Sequence, residues 1–295
     1  MSDIIMTSYF EILKRGVVMS EIKQYEKYLQ EQEKSKTTVR KYVGETAKLI
    51  NWLGDREITK GALLGYKKYL AMNCSSRRVN SAISAINNFL EFKNLQRLKI
   101  KTMKIQKNVY RKSDRELGRG EYFKLLEAAE KVGNRRLALI MQTICATGIR
   151  VSELQYITAE AVQSRSTEIN MKGKVRTLLL PKSLCKLLTE YIKQKGIKSG
   201  CVFITKSGRP VNRSNIWSEM KKLCSIAGVE PKKVFPHNLR HLFARTFIKK
   251  EKDLIKLSAI LGHSSIETTM IYTMESSEKH RKLIENLGLV KRYRI

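Results

Sequence analysis

Three short stretches late in the chain carry residue types that can act together on one phosphate: Pro236-His237-Asn238-Leu239-Arg240-His241, Leu261-Gly262-His263 and Ile271-Tyr272-Thr273. Arg240 offers a planar fork of donors that matches non-bridging phosphate oxygens. His237 and His263 can donate hydrogen bonds or move protons near neutral pH. Tyr272 offers a phenol oxygen that can become a nucleophile. Upstream, Thr147-Gly148-Ile149-Arg150-Val151-Ser152-Glu153-Leu154 adds a second arginine with a carboxylate three residues on. Taken alone, Arg150 and Glu153 also fit an ordinary surface ion pair on one helical face, worth roughly a few tenths of a kcal/mol. The chain has four histidines and twelve tyrosines, so the order and spacing of these residues carry the reading, not any one of them. His237 and His241 are also four apart, as two metal ligands on a helix would be. Asn238 stands where a zinc hydrolase carries its glutamate, and no third ligand has a recognisable spacing, so no metal or other cofactor is expected.

The elements that must position these residues read mainly as helices. Leu137, Ile140, Met141 and Ile144 repeat on one face and predict a core helix from Asn134 that ends at Gly148, a favourable C-terminal cap. Arg150 then begins the next helical turn. Ser166 to Leu180 alternates and is interrupted by Met171-Lys172-Gly173-Lys174, which predicts a β-hairpin with a basic tip. Lys172 and Lys174 there are either solvated turn residues or cations that reach into a minor groove. Helices are expected over Ser183–Lys195 and Arg213–Ala227, around a short strand at Val202–Thr205. Pro236 fixes the entry to the helix of His237 and Arg240, which lie three apart and share a side. Tyr272 closes a short helix, a further helix is expected over 276–287, and the tail from Gly288 carries apolar Leu289, Val290 and Ile295, which need a cover on this chain or a neighbour.

In the first hundred residues, helical starts recur near Ser20, at Thr37 or Thr38, at Thr59, and at Ser75 or Ser76. Val39, Val43, Ala47 and Ile50 mark one apolar face; Val79, Ile83, Ile86 and Leu90 mark another. Arg40, Lys41, Lys48, Arg77, Arg78 and Lys93 flank those faces. A small bundle with basic margins suits DNA, and equally a merely solvated basic face. From Lys93 to Lys112 there are eight Lys or Arg, among them Lys101, Lys104 and Lys107, and no acidic residue. That segment reads as a basic joint between two domains. The expected division is an extension over 1–18, a helical domain over 19–100, a linker over 101–116 and a second domain over 117–295.

Apolar content of 42% and charged content of 29% are ordinary for a globular chain, but a net charge of +31 is not. Such an excess points to a polyanion, nucleic acid first among them. No apolar run reaches bilayer length, and the first ten residues lack a signal peptide's pattern, so a cytosolic place and no membrane partner are expected. Five cysteines, an odd number with none at Cys-x-x-Cys spacing, suggest neither a disulfide framework nor a zinc site.

Ala-Thr-Gly-Ile-Arg-Val-Ser-Glu-Leu ending at Leu154, His-Asn-Leu-Arg-His from His237, and Leu-Gly-His-Ser-Ser-Ile-Glu-Thr-Thr-Met-Ile-Tyr ending at Tyr272 resemble, in order, the motifs of the tyrosine recombinase (phage integrase) family, its Xer-type and transposon-encoded members above all. Arg240, His263 and Tyr272 follow one another at intervals of 23 and 9. The resemblance covers Arg119 to Tyr272 and, by helix pattern only, the N-terminal part. It implies a mainly α fold with a small antiparallel hairpin, an N-terminal helical bundle and an α+β catalytic domain forming a clamp on duplex DNA. It further implies a site of Arg150, Glu153, Lys172, His237, Arg240, His263 and Tyr272, in which Tyr272 forms a 3′-phosphotyrosyl link. Lys172, with Lys174 as the close alternative, protonates the leaving oxygen. Arg40, Lys41, Arg77, Arg78, Lys101, Lys104, Lys107 and Lys174 are the candidate DNA contacts. The expected partners are double-stranded DNA, three further copies in a homotetramer on paired sites from a monomer in solution, and an accessory DNA-bending protein, in the nucleoid of a prokaryotic cell. Two other classes use parts of the same set. A type IB topoisomerase shares the residue kinds without a partner site, and a non-catalytic DNA-binding protein shares the charge but needs no complete set.

Overall fold

A computed structural model describes residues 16–105, 113–171, 174–205, 207–263, 265–273, 281 and 284–289. The chain divides into two units, Met1–Lys107 and Asn108–Ile295.

The first unit is a bundle of α1 (Gly16–Glu31), α2 (Lys36–Leu53), α3 (Lys60–Asn73) and α4 (Ser76–Phe92). Ser35, Thr59 and Ser75 cap the last three, each accepting from a backbone N–H in the first turn. The apolar stripe of α4 fills the centre: Val79, Ile83, Ile86 and Leu90 are all within 1% of full burial. They pack on Leu49 and Leu53 of α2 and on Leu63, Tyr66 and Leu70 of α3. Val39, Val43 and Ala47 form the second apolar cluster, with Tyr25 and Phe89. The helix expected from Ser20 begins earlier, at Gly16. Beyond α4, Asn80 and Asn87 side chains hydrogen-bond the backbone of Met103 and Ile100, and Lys67 donates to the Lys101 carbonyl. The chain to Met103 therefore lies along the bundle.

The second unit opens with α5 (Arg119–Lys131) and α6 (Arg135–Thr147). Leu137, Ile140, Met141 and Ile144 of α6 are at most 1% exposed and form the middle of the core. Gly148 ends α6 in the left-handed region at φ 67°. A 3₁₀ turn (Val151–Tyr156) and α7 (Ala159–Ser164) lead to β1 (Ser166–Met171) and β2 (Lys174–Leu179), an antiparallel pair with Met171 opposite Lys174. Lys172 lies outside the described residues, as does the Lys174 side chain. Then come α8 (Lys182–Lys195), α9 (Arg213–Lys222), α10 (Cys224–Ala227), α11 (Pro236–Glu251), α12 (Leu254–Leu261) and α13 (Ile266–Met270). The mostly helical chain with its two-stranded sheet has the expected fold class.

Three local expectations are corrected. The single helix over Arg213–Ala227 is broken at Leu223 into α9 and α10. Burial of Leu223, Cys224 and Ala227 in the main core rewards the break, which local helix propensity cannot register. The strand over Val202–Thr205 is only a pair of isolated bridges, Thr158 with Cys201 and Ile204 with Pro210. Arg150 opens a 3₁₀ turn, not an α-helix. The helix expected over 276–287 lies largely outside the described residues, as do the tail from Val290 and the extension to Arg15; Leu289 is exposed.

A β-carbon at Gly148 would sit 2.4 Å from Cδ1 of Phe243 on α11 and would adopt a left-handed backbone. Gly148→Ala should therefore cost about 1–3 kcal/mol of stability. Denaturant unfolding checks this, and an unchanged midpoint would refute the packing described.

Candidate phosphate-binding active site

The site forms where α6, α11 and α12 meet. Helix ends leave their last carbonyls without partners. At the end of α12, Asp253 caps the start and Gly262, at φ 61°, turns the chain away. The next three carbonyls are taken by arginines from three other segments. Arg176 of β2 donates to Ile260, Arg240 of α11 donates to Leu261 at 2.8 Å, and Arg150 of the 3₁₀ turn donates to Gly262 at 3.2 Å. The negative end of the helix dipole favours cations at this spot.

Arg240 is 1% exposed. Its second Nη donates to the Gly148 carbonyl at 2.6 Å, and its Nε has no hydrogen-bond partner among the described residues. The carbonyls that accept from this guanidinium are neutral. Burial, and then the charge of Arg150, push its pKa down to about 10, so it stays protonated at neutral pH. Glu153, also 1% exposed, is the carboxylate beside the cluster. One oxygen accepts from the Arg150 side chain at 2.9 Å; the other accepts from the Arg150 backbone N–H at 2.7 Å and from Arg176 at 2.6 Å. Among the described residues this hydrogen-bonded cluster holds three guanidinium charges and one carboxylate, a formal excess of two positive charges. A buried charge without a counter-charge is costly unless an anion joins it.

His263 follows the turn at Gly262. Its Nε2 lies 2.9 Å from Arg240 Nη2 and its Nδ1 lies 2.7 Å from Thr269 Oγ1. A guanidinium can only donate, so Nε2 is the acceptor and the proton sits on Nδ1, directed at Thr269. Burial, then Arg240 and Arg150, hold the imidazole pKa down to about 4. In this arrangement His263 is neutral and cannot donate from Nε2 unless a proton reaches that nitrogen.

Tyr272 is 6% exposed and packs with Ala244, Leu257 and Leu261. Its ring lies close to two imidazoles, 6.4 Å from His263 at an interplanar angle of 13° and 5.3 Å from His241. Burial raises its phenol pKa, and the charge of Arg240 works against that rise. His237 lies at the exposed start of α11, with its ring 4.3 Å from His241. The protein around it, and then Arg240, Arg213 and Arg150, keep it below the ordinary imidazole value. The expected residues Arg150, Glu153, His237, Arg240, His263 and Tyr272 thus share one neighbourhood. Among the described residues no group of three or more His, Cys, Asp or Glu has a metal-holding arrangement.

His241, which the sequence reading places in a supporting role, also belongs to this neighbourhood, and so do Arg176 and Thr269, to which that reading assigns no part in the site. Arg176 left a signal: it alternates with Leu178 and Leu180, at 2% and 4% exposure, while Val175 and Leu179 on the opposite face are 61% and 73% exposed. An arginine in phase with buried leucines marks a charge that needs partners. In the first unit Arg40, Lys41, Arg77, Lys101 and Lys104 are exposed. Arg78 instead pairs at 2.6 Å with the buried Glu45, which also holds Lys48 at 3.3 Å. Lys107 lies outside the described residues.

The model of the phage integrase family matches residues 115–279. Tyrosine recombinase XerA of Pyrococcus furiosus is 26% identical over 290 residues, covering 94% of this chain and 98% of its own. Two solved structures share the fold. XerH site-specific recombinase bound to difH substrate, a pre-cleavage complex, has a TM-score of 0.65 and 21% identity, covering 86% of this chain and 80% of that one. A lambda integrase tetramer bound to a Holliday junction has a TM-score of 0.69 and 17% identity, covering 86% and 76%.

The depressed pKa of His263 has a consequence for acid stability. The folded chain binds the imidazole proton more weakly than the unfolded chain does, so this contribution is complete above about pH 6.5 and is lost as pH falls towards about 4. His263→Gln keeps an acceptor for Arg240 but does not titrate. Between pH 7 and 5 the native chain should lose unfolding free energy, measured by denaturant titration, faster than this variant, by at most about 1.4 kcal/mol per pH unit. Parallel slopes for the two would overturn the assignment of a neutral His263.

Proposed function

Because this chain belongs to the phage integrase family and is a tyrosine site-specific recombinase, we propose that the neighbourhood of Tyr272 cleaves and rejoins duplex DNA through a covalent 3′-phosphotyrosyl intermediate. The observation that carries this reading is the buried Arg240, whose Nε has no partner among the described residues, in a cluster of three guanidiniums and one carboxylate beside a buried phenol. A scissile phosphate supplies the missing anion, and the charge it gains in a pentacoordinate transition state is what such a preorganised site stabilises.

In the proposed step the Tyr272 oxygen attacks phosphorus in line. The new oxygen–phosphorus bond forms as the bond to the 5′-oxygen breaks. The phenol proton passes towards His237, and Lys172, with Lys174 as the alternative, protonates the departing 5′-oxygen. Arg150 and Arg240 hold the non-bridging oxygens. His263 hydrogen-bonds the phosphate once that phosphate draws Arg240 from Nε2 and a proton from solvent reaches this nitrogen, and Glu153 orients Arg150. The phosphotyrosyl bond conserves the energy of the broken one, so the 5′-hydroxyl of another strand can reverse the step without ATP or a metal ion. Exposed Arg40, Lys41, Arg77, Lys101 and Lys104 serve the DNA backbone, as does the net charge of +31. The chain, a monomer in solution, forms a homotetramer on paired sites and exchanges strands through a Holliday junction; the lambda integrase tetramer supports the tetramer and the junction alone. An accessory DNA-bending protein and a nucleoid location complete the proposal.

Incubation with genomic DNA of the host should yield an SDS-stable adduct, with or without EDTA, whose sequencing identifies the recombination site. Tyr272→Phe should bind that site and form no adduct. An adduct from the Phe variant, or one that needs magnesium, would sink the mechanism.

On an oligonucleotide of the recovered site, Lys172→Ala should slow cleavage more than Lys174→Ala. Replacing the 5′-bridging oxygen by sulfur, a leaving group that needs little protonation, should restore the Lys172 variant. Restoration of the Lys174 variant instead would reverse the two roles.

A further inference from the structure

Arg176 is spent entirely on other protein groups. One Nη donates to the Ile260 carbonyl and the other to Glu153 at 2.6 Å. Its side chain is 13% exposed, against 40% for Arg150, which shares the same carboxylate. Arg150 is thus open towards a substrate and Arg176 is covered. The aliphatic stem of Arg176 runs over Gly262: a β-carbon there would lie 2.4 Å from its Cδ and 2.6 Å from its Nε. Gly262 in turn precedes His263 and supplies the carbonyl that Arg150 uses. One guanidinium therefore ties three segments together: β2, the 3₁₀ turn that carries Arg150 and Glu153, and the end of α12 that presents His263.

We infer that Arg176 is a positioning residue for phosphate cleavage: it fixes Glu153 and the end of α12 so that Arg150 is held in the orientation that receives a non-bridging oxygen. This rests on the reading of Arg150 as a phosphate ligand. Without Arg176, the Glu153 oxygen it uses keeps only the Arg150 backbone N–H, and the Ile260 carbonyl loses its side-chain donor. The carboxylate can then rotate, and Arg150 with it. No charge leaves the surface that meets the DNA, so site binding is spared while cleavage suffers.

The test uses the full chain and an oligonucleotide of the site recovered from wild-type adducts, in two forms. One carries the ordinary scissile phosphate. The other carries a methylphosphonate, in which a methyl group replaces one non-bridging oxygen and removes one negative charge that an arginine must meet. Arg176→Met keeps the stem and loses the donors; Arg176→Lys keeps the charge with fewer donors. Arg176→Met should bind the ordinary site within about 3-fold of wild type and cleave it about 100-fold more slowly, the scale on which lost supporting contacts act. On the methylphosphonate its deficit should shrink to about 10-fold or less, in parallel with Arg150→Met. Arg176→Lys should fall between wild type and Arg176→Met, and it carries the same comparison if the Met variant does not fold. A deficit of equal size on both substrates would mean that Arg176 supports the fold and not the phosphate contact, and would overturn the inference. So would cleavage at the wild-type rate, or a loss of binding equal to the loss of cleavage. If the wild type itself forms no adduct, the functional reading fails before Arg176 enters.

Discussion

One helix end organises the second unit. Ile260, Leu261 and Gly262 close α12 with three consecutive carbonyls, and each receives a different arginine. Arginines in contact with one another repel, and burial makes that repulsion stronger. They stay together because the helix end offers a row of acceptors at fixed spacing and a favourable dipole, and because Glu153 bridges two of them. Glycine at 262 is demanded twice, by its left-handed backbone and by the Arg176 stem that crosses it. Gly148 plays a matching part at the end of α6, where its carbonyl takes the other arm of Arg240.

That arrangement is poor for stability and well suited to binding an anion. A hydrophobic side chain in place of Arg240 would fill the same volume without a desolvated charge. What the arginine offers instead is a set of donors already aimed in a space closed to water, where they need no reorganisation when charge develops on a bound phosphate. The same field reaches the other groups. It helps keep His263 neutral with its proton on Nδ1, and it offsets part of the rise that burial imposes on the Tyr272 phenol. On the proposed mechanism, a bound phosphate would change all of these at once, since it competes with His263 Nε2 for Arg240 and cancels part of the field.

Unit one uses its charge differently. Most of its prominent cations stay exposed at the margins of an apolar bundle, but Arg78 is drawn onto buried Glu45. A basic residue beside an apolar stripe is thus no guide to its partner: Arg77 is exposed, while its neighbour Arg78 pairs with the protein's own carboxylate.

The sequence by itself determined the helices that hold the site and the residues at its centre. The stripes of α4 and α6 are local, repeating every three to four residues, and burial follows them closely. The motif order brought Arg150, Glu153, His237, Arg240, His263 and Tyr272 into view because each stands in a short stretch with a recognisable spacing. Tertiary structure decided the rest. It interrupted the helix at Leu223, after which Cys224 and Ala227 lie buried in the main core. It committed Arg176 to Glu153 and to Ile260, 23 and 84 residues away along the chain. It also chose the tautomer of His263, through an arginine 23 residues upstream. Periodicity reports which face of an element is buried; it carries no information about which distant donor meets which acceptor, and in this site those long-range pairings set the charge.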